Sequence, residues 1–212
     1  MNPVKQWRNE TLAKKMVDFL PTCGYTAYYA QNADEAKAKI LELIPKGSSI
    51  AMGGSVTLGD MEIVDIFRGD DYKFFERFNV KSYDEQYNVY RQSFLADYLV
   101  TSTNALTKNG ELMNVDSSGN RVAGMILGPE NVIIVCGVNK IVDNLDEGFK
   151  RLRKVGPMNC RRVGHQTPCF ETAECEDCQI QARMCNYTGI IHNGRKHEGR
   201  YTIIVVAEEL GF

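Results

Sequence analysis

The sequence lacks a long apolar run. Its first thirty residues carry charged side chains at close intervals, namely Lys5, Arg8, Glu10, Lys14, Lys15 and Asp18. A secretory signal peptide needs an uninterrupted apolar stretch, and a membrane-spanning helix needs about 20 predominantly apolar residues. Neither pattern is found, so we expect a cytoplasmic protein with no membrane partner.

The sequence also lacks a basic stripe. Lysine and arginine total 25 against 27 aspartate and glutamate residues, which gives a formal net charge of −2. The basic residues are scattered, whereas a protein that binds nucleic acid concentrates them on one face to neutralise phosphates. We therefore expect no nucleic-acid partner.

Two nucleotide-binding signatures are missing around the Gly53-Gly54 pair. This segment contains neither the GxGxxG dinucleotide fingerprint nor the lysine of a P-loop. Those residues are needed to bring a backbone and a positive charge against a pyrophosphate or triphosphate. Chemistry based on nicotinamide or nucleoside triphosphates is therefore not indicated.

What is present is the composition of a globular protein. Hydrophobic residues make up 43% and charged residues 25% of the 212 residues, enough for one domain with a sizeable core. Helical periodicity predicts helices over residues 4–20, 33–44, 58–67 and 145–152. Short apolar runs predict strands at Tyr25–Tyr29, Ser48–Met52, Tyr98–Thr101, Val132–Val138 and Thr202–Ala207.

The alternation of these strands and helices predicts an α/β fold. Apolar runs of this kind fit strands covered on both faces of a parallel sheet. We therefore predict a Rossmann-like open, mostly parallel sheet flanked by helices, in a single domain over residues 1–212. Turn-forming pairs between Thr103 and Leu127 predict hairpin-like excursions at a strand end. Between about 156 and 193 the periodicity disappears, which predicts a Cys-rich loop insertion before the last strand.

A glycine-serine loop follows the predicted strand that ends at Met52. Gly53 and Gly54 let the backbone approach a ligand closely, and Ser55 and Thr57 precede a predicted helix whose first N–H groups favour an anion. The alternative is a tight turn whose Ser55 or Thr57 only caps the helix. These residues alone favour neither interpretation.

Polar side chains also follow the next two strands. The candidate ligand-binding residues here are Thr101, Ser102, Thr103, Asn104, Arg121 and Asn139, in addition to Gly53, Gly54, Ser55 and Thr57. Arg121 and Lys140 can bind an acidic ligand, whereas Glu111 or Asp116 can act as an acid or base. Our candidate catalytic residues are Glu111, Asp116 and Lys140.

Four segments closely resemble the lactate-utilisation (LUD) domain family: GGSVTL, TSTNALTKNGELMNVDSSGNRVAG, LGPENVIIVCGVNKIV and YTIIVVAEELGF. The resemblance implies a place in the superfamily of glucosamine-6-phosphate deaminase, ribose-5-phosphate isomerase and CoA transferases, with the site at the strand ends. In that superfamily the loop matching 53–57 commonly contacts a phosphate or carboxylate, which favours the functional interpretation. Members of the family are linked to the conversion of lactate to pyruvate alongside iron–sulfur and redox partner proteins. The DGHxAFN-like strip of the deaminases is absent, so sugar-phosphate isomerisation is not carried over.

Four cysteines cluster near the end of the sequence. Cys169, Cys175, Cys178 and Cys185 follow the spacing C-x5-C-x2-C-x6-C, with Cys160 nine residues upstream. Cytoplasmic thiols stay reduced, so a metal is favoured over disulfides, and four thiolates suit zinc or an iron–sulfur cluster. We predict a [4Fe–4S] cluster because the resemblance implies iron–sulfur and redox partner proteins. Zinc, or four reduced thiols in a loop, are the alternatives.

Together these features predict a LUD-type protein of lactate or related organic-acid utilisation. It is expected to bind a small organic acid or phosphorylated metabolite at the strand ends, beside the cysteine-bound metal, and to serve as an oxidoreductase component with redox protein partners. One alternative is a non-catalytic accessory or assembly subunit with structural zinc. Another is a transferase or isomerase that uses Glu111. Assembly into a homo-oligomer is left open.

Overall fold

The computed structural model describes residues 2–212 and contains eight α-helices in that range. None of these helices combines the length and the apolar character needed to cross a membrane. In chain order they are α1 (Pro3–Phe19), α2 (Ala33–Leu43), α3 (Val56–Asp60), α4 (Ile63–Phe67), α5 (Tyr83–Gln92), α6 (Asn120–Leu127), α7 (Leu145–Arg162) and α8 (Pro168–Thr172).

Ten strands lie between and after these helices in the described residues. They are β1 (Thr26–Ala30), β2 (Ser49–Met52), β3 (Lys73–Phe74), β4 (Tyr98–Ser102), β5 (Ala105–Thr107), β6 (Leu112–Asp116), β7 (Asn131–Gly137), β8 (Ile141–Val142), β9 (Tyr187–Ile191) and β10 (Tyr201–Val206).

Six strands form the main sheet in the order β1-β10-β7-β4-β2-β3, and every neighbouring pair is parallel. All their carboxyl ends therefore meet at one edge. The predicted α/β fold with a mostly parallel sheet is confirmed, and the five predicted strands correspond to β1, β2, β4, β7 and β10.

Side chains of the central strands alternate between two hydrophobic cores. In β10, Ile203 and Val205 face one core, whereas Ile204 and Val206 face the other. The first core contains residues of α1 and α6, and the second contains residues of α2, α3 and α4. Because helices cover both faces, apolar residues follow one another in these strands, as in Ile203–Val206, instead of alternating with polar ones.

A second sheet of four strands has the order β8-β5-β6-β9. Its centre is the β5–β6 hairpin, in which Gly110 takes a positive φ of 89° and its N–H donates to the carbonyl oxygen of Thr107 at 2.9 Å. The hairpin agrees with the turn predicted at Asn109-Gly110. A third apolar cluster, with Ala105, Met113 and Leu152 at its centre, packs α7 onto this sheet.

The segment 156–193 is more regular than the lost periodicity indicates. Helix α7 continues past Pro157 as far as Arg162, α8 follows at Pro168–Thr172, and β9 joins the second sheet, so residues 173–186 are the longest stretch of the segment without helix or strand. A proline inside a helix removes one N–H donor and normally interrupts the pattern, which explains why the sequence predicted an earlier end. The segment lies between β7 and β10, the last two strands of the main sheet in chain order.

We predict that Gly148→Ala destabilises the fold because it forces α7 away from the second sheet. A Cβ atom at Gly148 would lie 2.0 Å from Sδ of Met113. Overpacking of this kind costs about 1–3 kcal/mol in the free energy of unfolding, measurable by urea titration.

Gly59→Ala is the matched control. Gly59 also lies in a helix, but no atom lies within 4 Å of its added Cβ. Alanine should therefore leave the protein as stable or gain up to about 1 kcal/mol. Equal effects of the two substitutions would contradict the packing of α7 described above.

Candidate functional site

A polar cavity of about 180 Å³ lies at the carboxyl ends of the parallel strands. Its walls come from the loop 54–57 after β2, residues 102–104 after β4, Lys140 after β7, the end of β6 with the start of α6, and one face of α7. Open parallel sheets bind their ligands at this edge. The volume is below the roughly 300–1,000 Å³ of pockets for drug-sized ligands, so the cavity suits a small metabolite.

Lys140 lies at the base of the cavity. It is 5% exposed, and its Nζ donates to Oγ1 of Thr57 at 2.6 Å and to Oγ of Ser102 at 2.9 Å. These hydroxyls donate onward to the carbonyl oxygens of Leu210 and Thr103, respectively. An ammonium group has three N–H bonds, so this network leaves one of them for a ligand.

Burial changes the charge state of this lysine. The pKa of Lys140 is lowered to about 8, mainly by burial and also by the guanidinium groups of Arg151 and Arg121. Burial penalises the charged form of a lysine, so a nearby anion would restore the pKa toward its ordinary value. Lys140 is therefore suited to bind an anion or, when neutral, to accept a proton.

Arg121 and Asp116 form a buried ion pair on the opposite wall. Their side chains are 12% and 6% exposed, and Nη2 of Arg121 lies 2.6 Å from Oδ1 of Asp116. The same Nη2 donates to Oδ1 of Asn104 at 2.9 Å, and the N–H of Val122 donates to Oδ2 of Asp116 at 2.7 Å. The ion pair thus fixes the start of α6 against the end of β6.

Two further arginines, Arg77 and Arg162, line the cavity without an ion pair among residues 2–212. Arg162 is exposed as a whole residue, but partial burial lowers its pKa, and the positive charges of Arg77 and Arg121 lower it further. With Lys140, the lining contains four cationic side chains, and Asp116 is the one side-chain carboxylate in it. The cavity therefore has a strong preference for anions.

Residues 207–212 close one side of the cavity. Gly211 has a φ of 60°, and a Cβ there would lie 2.7 Å from Oγ1 of Thr57, so glycine is required at this approach. The side chain of Asn139 accepts a hydrogen bond from the N–H of Leu210 at 3.1 Å. Phe212 lines the cavity, and its carbonyl oxygen accepts a hydrogen bond from Arg151.

A second, smaller cavity adjoins the first one. Five of the seven cysteines line it: Cys160, Cys169, Cys175, Cys178 and Cys185. Gly156, Met184 and Cys185 line both cavities, and a Cβ added at Gly156 would lie 3.3 Å from Sγ of Cys185. The cysteine cavity and the anion cavity therefore share one wall.

The donor set in this second cavity suits a soft metal or an iron–sulfur cluster. Among residues 2–212, however, no three or more His, Cys, Asp or Glu side chains converge as a ready-made metal site. Burial, with the neighbouring thiols, raises the pKa of Cys185 to about 11, so the metal-free thiol is neutral. The residues present fit such a group by chemistry, and binding would require the segment 173–186 to close further.

Arg183 already braces that segment. Its Nη1 and Nε donate to the carbonyl oxygens of Cys178 and Cys185, both at 2.9 Å, and its Nη2 pairs with Asp177 at 2.7 Å. These contacts bring the chain around Cys178 against the chain around Cys185 without a helix or a strand.

Comparison with known families identifies the chain. A model of the LUD domain matches residues 13–206. The chain belongs to the LUD domain family. This membership associates the protein broadly with lactate utilisation. A search of curated protein sequences finds no match.

Three solved structures are similar to this LUD domain. A DUF162 family protein from Deinococcus radiodurans superposes with a TM-score of 0.53 at 14% identity, over 93% of this chain and 97% of that chain. The δ subunit of eIF2B from Chaetomium thermophilum gives 0.42 at 10% identity, over 93% and 61%. A D-ribose-5-phosphate isomerase in complex with phospho-erythronic acid gives 0.35 at 16% identity, over 53% and 54%. The first of these supports the fold alone.

The structure brings most of the predicted site residues of the LUD domain together. The cavity is lined by Gly54, Ser55, Thr57, Ser102, Thr103, Asn104, Asp116, Arg121 and Lys140. Oγ of Ser55 also accepts a hydrogen bond from the N–H of Leu58 at 3.3 Å, so this residue caps α3 as the alternative interpretation expected. Ser55 therefore both caps α3 and lines the cavity.

Four predicted residues lie elsewhere. Gly53 and Thr101 are buried behind the wall, and a Cβ at Gly53 would lie 3.2 Å from Oγ1 of Thr101. Asn139 holds residues 210–211. Glu111 lies in the β5–β6 turn, where its carboxylate accepts a hydrogen bond from the hydroxyl of Thr107. The pKa of Tyr25, which precedes β1, is raised mainly by burial, and the charge of Glu111 adds to this effect. Glu111 is thus near the amino ends of the main strands, opposite the cavity.

Sequence reasoning missed Arg77, Asn159 and Arg162. Asn159 lies four residues after Val155, and Arg162 lies three residues after Asn159. This spacing places Val155, Asn159 and Arg162 on one face of α7. That signal was available, but it was obscured by the break assumed at Pro157. Arg77 lies in an irregular segment after β3, where nothing in the sequence marks it.

We predict that Asp116→Ala lowers the free energy of unfolding by about 3–5 kcal/mol, because it leaves the buried guanidinium of Arg121 without its counter-ion. Chemical denaturation measures the loss. Asp143→Ala is the control, since its ion pair with Lys108 has side chains 67% and 53% exposed. That change should cost less than about 1 kcal/mol. Similar losses in both variants would show that the Arg121 pair is solvated.

Proposed function

We propose that this LUD domain binds a small anionic metabolite of the organic-acid class in the polar cavity, next to a cysteine-bound [4Fe–4S] cluster, as a component of lactate or related organic-acid utilisation. The observation that carries the proposal is the charge of the cavity. Lys140, Arg77, Arg121 and Arg162 line it against the single carboxylate of Asp116.

The arrangement of Lys140 supports a role in binding or proton transfer. Its ammonium group is fixed by two hydroxyls rather than neutralised by a carboxylate. A bound carboxylate would therefore supply the missing negative charge and gain a charge-assisted hydrogen bond. Because the cavity is partly shielded from bulk water, such a bond is worth more there than on the surface.

The neighbouring cavity supports the redox half of the proposal. Cys169, Cys175, Cys178 and Cys185 are the residues that would hold the cluster, and a bound [4Fe–4S] cluster supplies one-electron transfer. Cys185 lies in the shared wall, which brings the cysteine segment next to the bound anion. This adjacency favours a redox component over an accessory subunit with structural zinc.

We predict that L-lactate affinity falls as the pH rises above about 8, where free Lys140 loses its proton. Lactate keeps its charge over about pH 6.5–9.5, so the change in affinity comes from the protein. Lactate affinity falls, and does not rise, with increasing pH because the anion binds the charged form of the lysine more tightly than the neutral form. One linked proton makes the fall at most about tenfold per pH unit, and calorimetry at several pH values measures it.

The matched variants for this test are Lys140→Met and Lys108→Met. Lys140→Met should bind weakly at every pH and lose the pH dependence. Lys108 lies on the exposed hairpin turn, so Lys108→Met should behave like the unchanged protein. If neither lactate nor inorganic phosphate binds the unchanged protein, or if Lys140→Met binds normally, the cavity is not the anion site.

We predict that anaerobically purified protein contains iron and sulfide with broad visible absorption, and that Cys178→Ser loses most of both. Cys23→Ser is the control, because Cys23 is buried in the core and bonds only the carbonyl oxygen of Asn109 and the hydroxyl of Thr22. Its metal content should not change. One zinc per chain without iron would instead support a structural site, and a metal-free, colourless protein would refute both.

A further inference from the structure

We propose, on the basis of the function proposed above, that the ligand is a phosphorylated organic acid whose carboxylate is held by Lys140 and whose phosphate is held by Arg77 and Arg162. The inference follows from two guanidinium groups that the binding of a simple monocarboxylate leaves unused.

Arg77 is held rigidly but is incompletely hydrogen-bonded. Its guanidinium lies over the rings of Phe78 and Tyr90, with centroid distances of 5.1 and 4.9 Å, and its Nη2 donates to the hydroxyl of Tyr90 at 2.6 Å. Its Nε and Nη1 are buried and have no partner among residues 2–212. A buried donor without an acceptor costs about 1–3 kcal/mol, more when charged, so a ligand oxygen is the expected partner.

The guanidinium of Arg77 lies at the wall of the cavity. A Cβ atom at Gly54 would lie 3.1 Å from Nη1 of Arg77, which shows that the guanidinium reaches the loop after β2. Gly54 and Arg77 both line the cavity. The absence of a side chain at Gly54 thus leaves space directly in front of the unpaired nitrogen.

Arg162 approaches from another element. It lies at the end of α7, and the only hydrogen bonds of its guanidinium within residues 2–212 are long contacts of 3.3 and 3.4 Å to Oδ1 of Asn159. Its charge interacts with those of Arg77 and Arg121. Like charges gathered in one cavity repel one another unless an anion binds between them.

The number of charges selects the class of ligand. The pair Arg121–Asp116 is internally neutral, which leaves Lys140, Arg77 and Arg162 with three positive charges. Lactate would offset one of them, whereas a phosphate monoester with a carboxylate carries close to three negative charges near pH 7. A phosphorylated acid therefore matches the cavity.

Geometry favours phosphate over a second carboxylate at the arginine end. A planar carboxylate pairs well with one guanidinium fork, whereas a tetrahedral phosphate presents three oxygens to donors that come from different directions. Arg77 follows β3 and Arg162 ends α7, so their donors come from separate walls of the cavity.

The test is calorimetric titration of the full chain at pH 7 with three probes: L-lactate, L-malate and 3-phosphoglycerate. We expect 3-phosphoglycerate to bind at least about tenfold more tightly than either of the others. One or two additional charge-assisted hydrogen bonds are enough for this difference in affinity. Equal affinity for malate and 3-phosphoglycerate would overturn the assignment of a phosphate site.

Arg77→Met should weaken 3-phosphoglycerate binding by about tenfold or more and weaken lactate binding by less. Arg91→Met is the matched control, because Arg91 also stacks on a tyrosine, with 4.6 Å to the centroid of Tyr87, but on the exposed face of α5. Equal losses in the two variants, or an equal loss for lactate and 3-phosphoglycerate in Arg77→Met, would refute the inference.

Tyr90→Phe covers the case in which Arg77→Met does not fold. It keeps the ring and removes the hydrogen bond that positions Arg77. It should selectively weaken the binding of 3-phosphoglycerate, and unchanged binding would count against the site.

Lactate binding that depends on Lys140 without a preference for 3-phosphoglycerate would overturn this inference and leave the proposed function intact. If none of the probes binds, the proposed function fails as well.

Discussion

A buried positive charge that the described protein does not neutralise is the constraint on which this site depends. Lys140 is placed by the end of β7 and stabilised by the hydroxyls of Thr57 and Ser102, which are dipoles rather than charges. Hydroxyls can solvate an ammonium group in a partly dry cavity without cancelling its attraction for an anion. The same network ties together α3, β4 and the segment at Leu210, so the shape of the cavity and its charge have one origin.

The second sheet turns an edge of parallel strands into an enclosed cavity. A parallel sheet alone presents only strand ends and helix starts, but here the β5–β6 hairpin and α7 add a wall above them. The Arg121–Asp116 pair fixes the junction of β6 with α6. Helix α7 then contributes to both cavities, because Gly156 borders each of them.

The sequence allowed the central sheet to be predicted because β7 and β10 bury both faces and are therefore continuously apolar. Residues that follow such strands, including Lys140, could be placed at the site from topology alone. Glu111 could not, since a hairpin turn reverses the chain and carries it to the other end of the sheet. Arg77 could not either, because its position depends on stacking with Tyr90, a contact made in space between segments without a recognisable motif.

The wall shared through Cys185 gives the two cavities a common boundary. A shift of the segment 173–186 that moves this thiol also changes the space in which an anion would lie. Linkage between two sites is reciprocal, so an anion that favours one arrangement of the segment is itself bound more tightly in that arrangement. A ligand that displaced Cys185 from one cavity would therefore change the affinity of the other cavity for its own ligand, and by the same factor in both directions.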